Sequence, residues 1–162
     1  MKKSYFIPDF TLRKLTDFSP TEIVRLGYTW LILDVDNTLV PKGTSDISEA
    51  YEQWVHELKT LGVIILLCSN NFSQVSQQLA HRLQINYLKG AMKPFTFRIR
   101  KIVEEQIKEQ KTLIMGDQIF TDVRLGKSLK FDTALINPLS SKDWISTRCL
   151  RWIEHFILER PQ

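Results

Sequence analysis

Asp34 and Asp36 stand one residue apart at the end of the apolar run Leu31-Ile32-Leu33. Two carboxylates this close repel each other, and burial adds a desolvation penalty. A hard cation with oxygen ligands, Mg²⁺ or Ca²⁺, resolves the conflict. Alternate residues of a strand share a face, so both side chains can serve one site. For this stretch taken alone, an Asx-rich turn capping a strand is the simpler alternative. Further polar residues follow other strand-like stretches: Ser69 after 63–68, Asp117 and Asp122 after 113–115, and Lys93 just past 85–88.

Phosphoryl transfer needs these residue types. A nucleophile attacks phosphorus in line with the leaving oxygen, while a cation and fixed donors hold the non-bridging oxygens. An acid protonates the leaving group. A carboxylate nucleophile gives an aspartyl phosphate that water then opens. Asp34 offers the nucleophile and Asp36 the acid/base. Ser69 offers a donor, Lys93 a positive charge, and Asp117 a metal ligand.

The elements that must bring them together alternate. Apolar runs at 31–33 and 63–68 read as buried strands, and 85–88, 113–115 and 133–136 as further, shorter strands. Helical spacing fills the intervals: a short helix capped by Ser19-Pro20 and ending near Gly27, then 45–61, 72–83, 94–108 and 121–130. Pro94 is read as the first residue of its helix. Strands alternating with helices predict an α/β fold with a parallel sheet and right-handed crossovers. In such sheets ligands bind beyond the carboxyl ends of the strands, where the polar residues collect. Residues 1–28 read as an N-terminal extension. Residues 141–160 read as a terminal helix with Ile145, Cys149, Trp152, Ile153 and Phe156 on one face. That face suits packing on the sheet, and also a membrane or a second subunit.

The chain has 162 residues, 43% of them hydrophobic and 25% charged, as expected of one globular domain. Two cysteines do not make a disulfide framework, and a reducing cytoplasm is expected. No signal peptide or membrane-spanning run is expected. The net charge is +4, and no Asp or Glu lies between Glu57 and Glu104. That interval carries Lys59, Arg82, Lys89, Lys93, Arg98, Arg100 and Lys101. It favours an anionic partner: a phosphate, an acidic lipid surface or nucleic acid. A solvated basic face is the alternative.

Four motifs, in order, resemble the haloacid dehalogenase (HAD) superfamily of phosphatases. They are Asp34-Val35-Asp36-Asn37-Thr38, Leu66-Leu67-Cys68-Ser69-Asn70, Lys93-Pro94, and Gly116-Asp117-Gln118-Ile119-Phe120-Thr121-Asp122. The details Ser69-Asn70-Asn71 and Gly116-Asp117-Gln118 are similar to the YqeG-type, subfamily IIIA group, whose members are similar to a mitochondrial phosphatidylglycerophosphate phosphatase. The resemblance implies a three-layer, Rossmann-like fold with helices on both faces, and magnesium as cofactor. It implies Asp34 as nucleophile and metal ligand, and Asp36 as acid/base with its backbone carbonyl on the metal. Asp117 would be a metal ligand, and Asp122 would support the metal shell. Ser69 and Lys93 would stabilise the phosphoryl group, with Thr38, Asn70 and Lys93 as substrate contacts. Phosphatidylglycerophosphate is the leading substrate, and the enzyme would be cytoplasmic, on or near a membrane.

The gaps from Asp36 to Ser69 and from Ser69 to Lys93 leave no room for an inserted cap domain. An open site suits a phosphate on something large, such as a lipid head group at a membrane. Nucleic acid is not indicated beyond the basic segment. A receiver-like module, or a scaffold that binds magnesium and a protein or RNA partner with little turnover, is the alternative. A cysteine phosphatase at Cys68 would need an arginine where Gln74 stands. The Gly126-Lys127-Ser128 stretch lacks the first glycine of a phosphate loop, with Thr121 in its place. His56, His81 and His155 lack metal-ligand spacing.

Overall fold

The structure, a computed structural model, describes residues 5–71, 74–107 and 109–140. Among the described residues six strands form one sheet: β1 (Phe10–Leu12), β2 (Trp30–Leu33), β3 (Ile64–Ser69), β4 (Asn86–Lys89), β5 (Thr112–Gly116) and β6 (Asp132–Ile136). The spatial order is β1-β6-β5-β2-β3-β4, and every pairing is parallel. The helices are α1 (Pro20–Arg25), α2 (Glu49–Thr60), α3 (Gln74–Leu83), α4 (Phe97–Ile102) and α5 (Arg124–Leu129).

Side-chain alternation along β2 builds two cores. Leu31 and Leu33 join Trp54 and Leu58 of α2 and Leu79 of α3 on one face. Trp30 and Ile32 join Ile99 of α4 and Leu125 of α5 on the other. A central strand apolar at every position is therefore required, and all four β2 residues are buried. The result is the three-layer arrangement expected, with helices on both faces. Among the described residues no domain is inserted between β2 and α2.

Local signals set the helix starts. The Ser19 hydroxyl accepts a bond from the Glu22 amide at 3.2 Å, with Pro20 at the first helical position. Ser48 caps α2 in the same way through the Tyr51 amide at 3.3 Å, so that helix begins at Glu49 rather than at 45.

Two expectations are corrected here. Residues 1–28 are not merely an extension, because Phe10–Leu12 is an edge strand paired with β6. Asp9 anchors it: its carboxylate accepts from the Thr133 amide at 2.8 Å and from the Lys127 ammonium at 2.6 Å. Pro94 does not open α4. The Phe95 amide donates to the Met92 carbonyl at 2.9 Å, which closes a turn over Lys93 and a cis Pro94, and α4 starts at Phe97. Val103–Ile107 and Ile119–Val123 are wider, π-type turns rather than α-helix. The helix read at 141–160 lies outside the described residues.

Candidate active site

The strand order reverses direction around β2. The chain steps from β2 to β3 and β4 on one side, then returns to place β5 on the other. A crevice opens at such a switch point, beyond the carboxyl end of the strand. Leu33 lies in register with Leu67 of β3 and with Met115 of β5. The residues that end or follow these three strands therefore converge. They are Asp34 and Asp36 from β2, Ser69 to Asn71 from β3, and Asp117 from β5.

The loop after β2 is tightly built. The Asp34 amide still donates to the Met115 carbonyl at 2.9 Å. The Val35 carbonyl then accepts from the Leu39 and Val40 amides at 3.0 and 3.1 Å. Asn37 turns the chain in the left-handed region, at φ 63°, a conformation that asparagine tolerates well. This loop leaves Asp34 buried and Asp36 half-buried.

Lys93 is the hub. Its ammonium donates to Asp34 Oδ1 and, at 2.6 Å, to Asp122 Oδ1. All three side chains are almost wholly buried. Burial alone would lower the Lys93 pKa, but the carboxylates of Asp122 and Asp34 outweigh it and hold the ammonium charged. Asp122 is held at both oxygens. Its Oδ2 accepts from the Gln118 amide and the Thr121 hydroxyl, each at 3.2 Å. Gly116 is what admits it, since a Cβ there would overlap the Asp122 carboxylate.

Asp34, Asp117 and Asp122 each offer a carboxylate oxygen, and the three lie within 4.8 Å of one another. Asp34 Oδ2 and Asp117 Oδ1 are buried without a hydrogen-bond partner among the described residues. Burial pushes the Asp34 carboxyl up to about 6, against the pull of Lys93. Burial, then the charges of Asp34 and Asp122, push Asp117 up to about 7. Two buried carboxylate oxygens with nothing to bind, in an all-oxygen donor set, fit a hard divalent cation. Asp34 and Asp117 would hold it, while Asp122, already occupied, would brace the lysine. The Asp36 carboxylate stands outside this trio.

Above the cluster is a pocket of about 290 Å³ lined by Asp34, Asp36, Asn70, Asn71, Lys93 and Gln118, with Lys42 and Thr121 at its wall. The Ser69 hydroxyl lies beneath it, donating to Asp36 Oδ2 at 3.4 Å and accepting from the Asn71 amide at 3.0 Å. Thr38, read as a substrate contact, is fully buried and is not part of the pocket wall. Asn70 lines the pocket, but its carboxamide is spent on the backbone of Lys93. Lys42, Asn71, Gln118 and Thr121 are pocket residues to which the sequence reading assigned no role. The last two were visible inside the Asp117 motif, whereas Lys42 carried no signal beyond its closeness to Asp36. Cys68 is buried in β3 and its thiol is pushed up to about 12 by burial, which leaves it unreactive.

A family described as mitochondrial PGP phosphatase matches residues 1–135. The chain is 28% identical over 159 residues to a protein of Bacillus subtilis (strain 168) named probable phosphatase YqeG, covering 98% of this chain and 92% of that one. A crystal structure of a hypothetical protein from Xanthomonas campestris superposes with a TM-score of 0.52 at 19% identity, over 84% of this chain and 78% of that one. At that identity it supports the α/β fold alone.

Proposed function

The chain belongs to the mitochondrial PGP phosphatase family, and we propose that it hydrolyses a phosphomonoester with magnesium, by way of a phosphate carried on Asp34. That it is a phosphatase of the YqeG type follows from the family and from the relative. The finer reading rests on one observation: Asp34 Oδ2 and Asp117 Oδ1 are buried and unpartnered beside the Lys93 ammonium, at the floor of the pocket.

In this reading one Asp34 oxygen attacks phosphorus and the bond from phosphorus to the ester oxygen breaks. Asp36, at the pocket wall, gives its proton to the departing alkoxide. Asp36 then takes a proton from water as the water oxygen attacks phosphorus. The bond from phosphorus to Asp34 breaks, and inorganic phosphate leaves. Lys93 keeps Asp34 oriented and supplies positive charge next to the phosphoryl oxygens. The cation, when bound, neutralises phosphoryl charge as a Lewis acid.

For the substrate we propose a phosphate on a lipid head group, phosphatidylglycerophosphate first. The family description favours it, and so does a pocket without an inserted cap among the described residues. No helix of the described residues is long and apolar enough to cross a membrane. The proposal has the enzyme work from the cytoplasm at a membrane face. Phosphate release by wild type and Asp34→Asn tests it, with magnesium or with chelator. The substrates are phosphatidylglycerophosphate vesicles, soluble phosphomonoesters and a phosphopeptide. Magnesium-dependent release that vanishes in Asp34→Asn is expected, fastest on the lipid. No release from any substrate, with magnesium still bound, would return the receiver or scaffold reading.

A further inference from the structure

The turn that carries Lys93 also carries bulky apolar side chains into solvent. Met92, Phe95 and Phe97 are all exposed, Phe95 at 62% and Phe97 at 59%. The core does not need them. The sheet-facing position of α4 is filled by Ile99, which is 1% exposed. Exposed singly, such residues are ordinary, but three within six positions, flanking the pocket residue Lys93, are a concentration that the fold does not require.

These residues have charged neighbours of one sign. Lys89 is exposed at the end of β4, in register with Ser69, whose neighbours Asn70 and Asn71 line the pocket. Arg98 and Arg100 are exposed on the first turns of α4. Acids return only at Glu104 and Glu105. Aromatic side chains interleaved with basic ones suit the head-group region of an anionic bilayer, which takes up the rings and attracts the cations. A second protein would match the rings equally well, but a segment whose charges from Lys89 to Lys101 are all positive selects for negative charge.

We propose that the segment from Lys89 to Arg100 docks the protein on an anionic membrane, with Phe95 and Phe97 entering the head-group layer and Lys89, Arg98 and Arg100 binding acidic lipid. Phe95 lies two residues from Lys93, so docking brings the pocket mouth to the depth at which a lipid phosphate sits. This deepens the proposed lipid-phosphate function and rests on it for its purpose, although the binding itself requires no turnover.

The test is co-sedimentation with vesicles of phosphatidylcholine alone or mixed with phosphatidylglycerol. Wild type, Phe95→Ser/Phe97→Ser and Arg98→Glu/Arg100→Glu are compared. Wild type is expected to sediment with the anionic vesicles only, and each double variant to lose roughly tenfold or more in partition. Turnover of soluble p-nitrophenyl phosphate by both variants should stay at the wild-type level, which also shows that they are folded. Wild type left in the supernatant, or either variant binding as wild type does, overturns the proposal. A patch that instead governs self-association in sedimentation velocity would be a protein contact, and overturns it too. Vesicle binding without hydrolysis of phosphatidylglycerophosphate would defeat the substrate reading and leave docking standing. Hydrolysis of that lipid in detergent without vesicle binding would do the reverse.

Discussion

The carboxamide of Asn70 clasps the backbone of Lys93 at both ends. Its Oδ1 accepts from the Lys93 amide at 2.6 Å, and its Nδ2 donates to the Lys93 carbonyl at 2.9 Å. The end of β3 is thereby tied to the turn that carries the lysine, and the lysine in turn grips Asp34 and Asp122. Asn70→Ala removes both bonds and leaves the ammonium in place. Two such bonds contribute about 1 kcal/mol each to stability, so the fold should survive. Misplacing the lysine should cost about tenfold to a hundredfold in kcat, since small displacements of positioned groups are costly. KM on a soluble phosphomonoester should change little. A variant with full kcat would show that the clasp does not position Lys93.

The two raised carboxyls make metal binding depend on pH. Asp34 near 6 and Asp117 near 7 both lie above the ordinary 3.8. The metal-free folded protein therefore holds these protons more tightly than the unfolded chain does. Their contribution to stability is full below pH 3.8 and is lost as pH rises through 6 and 7. Magnesium needs both carboxylates ionised. Its apparent affinity should climb from pH 5.5 to 8, with protons released on binding near pH 6. Titration calorimetry in two buffers of different ionisation enthalpy measures that release. The rise in Tm on adding magnesium should be larger at pH 8 than at pH 5.5, and a rise independent of pH would exclude these two acids as the ligands.

Two glycines separate a site defect from a fold defect. A Cβ on Gly116 would overlap the Asp122 carboxylate, whereas one on Gly126 would overlap the Thr133 methyl group in the core. Either alanine variant should lose about 1–3 kcal/mol, the usual cost of overpacking. Only Gly116→Ala should displace Asp122 and so free Lys93. Gly116→Ala should therefore lose activity well beyond its loss of folded fraction. Gly126→Ala should keep wild-type kcat per folded molecule at low temperature. Equal kcat in the two variants would separate Asp122 from catalysis.

These relationships mark how far the chain could be read in advance. Strands β2, β3 and β5 were legible because a strand covered on both faces must be apolar throughout, and such runs stand out. The convergence of Asp34, Lys93, Asp117 and Asp122 was legible because parallel strands deliver their C-terminal residues to one edge. Strand β1 was not. Its three residues have no periodicity to detect, and what holds them is a partner 124 residues away. The turn at Pro94 was misread because proline suits a first helical turn as well as a loop. Thr38 and Asn70 were expected as substrate contacts by resemblance, from their places in the motifs. That Thr38 is buried away from the pocket wall, and that the Asn70 carboxamide is spent on the Lys93 backbone, depends on tertiary geometry that motif spacing does not encode.

The Asp9 anchor of β1 should make the sheet edge sensitive to acid. Burial alone would raise the Asp9 pKa, but the Lys127 ammonium and the Thr133 amide outweigh it and hold the carboxyl below 3.8. A depressed carboxyl favours the folded state at every pH above its unfolded value, and the benefit disappears as pH falls through the folded value. Asp9→Ala should therefore cost about 1–3 kcal/mol at pH 7, the range for a hydrogen-bonded charged group. The gap to wild type should narrow as pH falls below 4. Urea unfolding of both proteins at pH 7 and pH 3 gives the comparison. The loss belongs to β1 rather than to the site, so p-nitrophenyl phosphate turnover at pH 7 should fall only with the folded fraction. A gap that stays constant with pH would mean that β1 is held by its backbone pairing to β6, with the carboxylate contributing nothing.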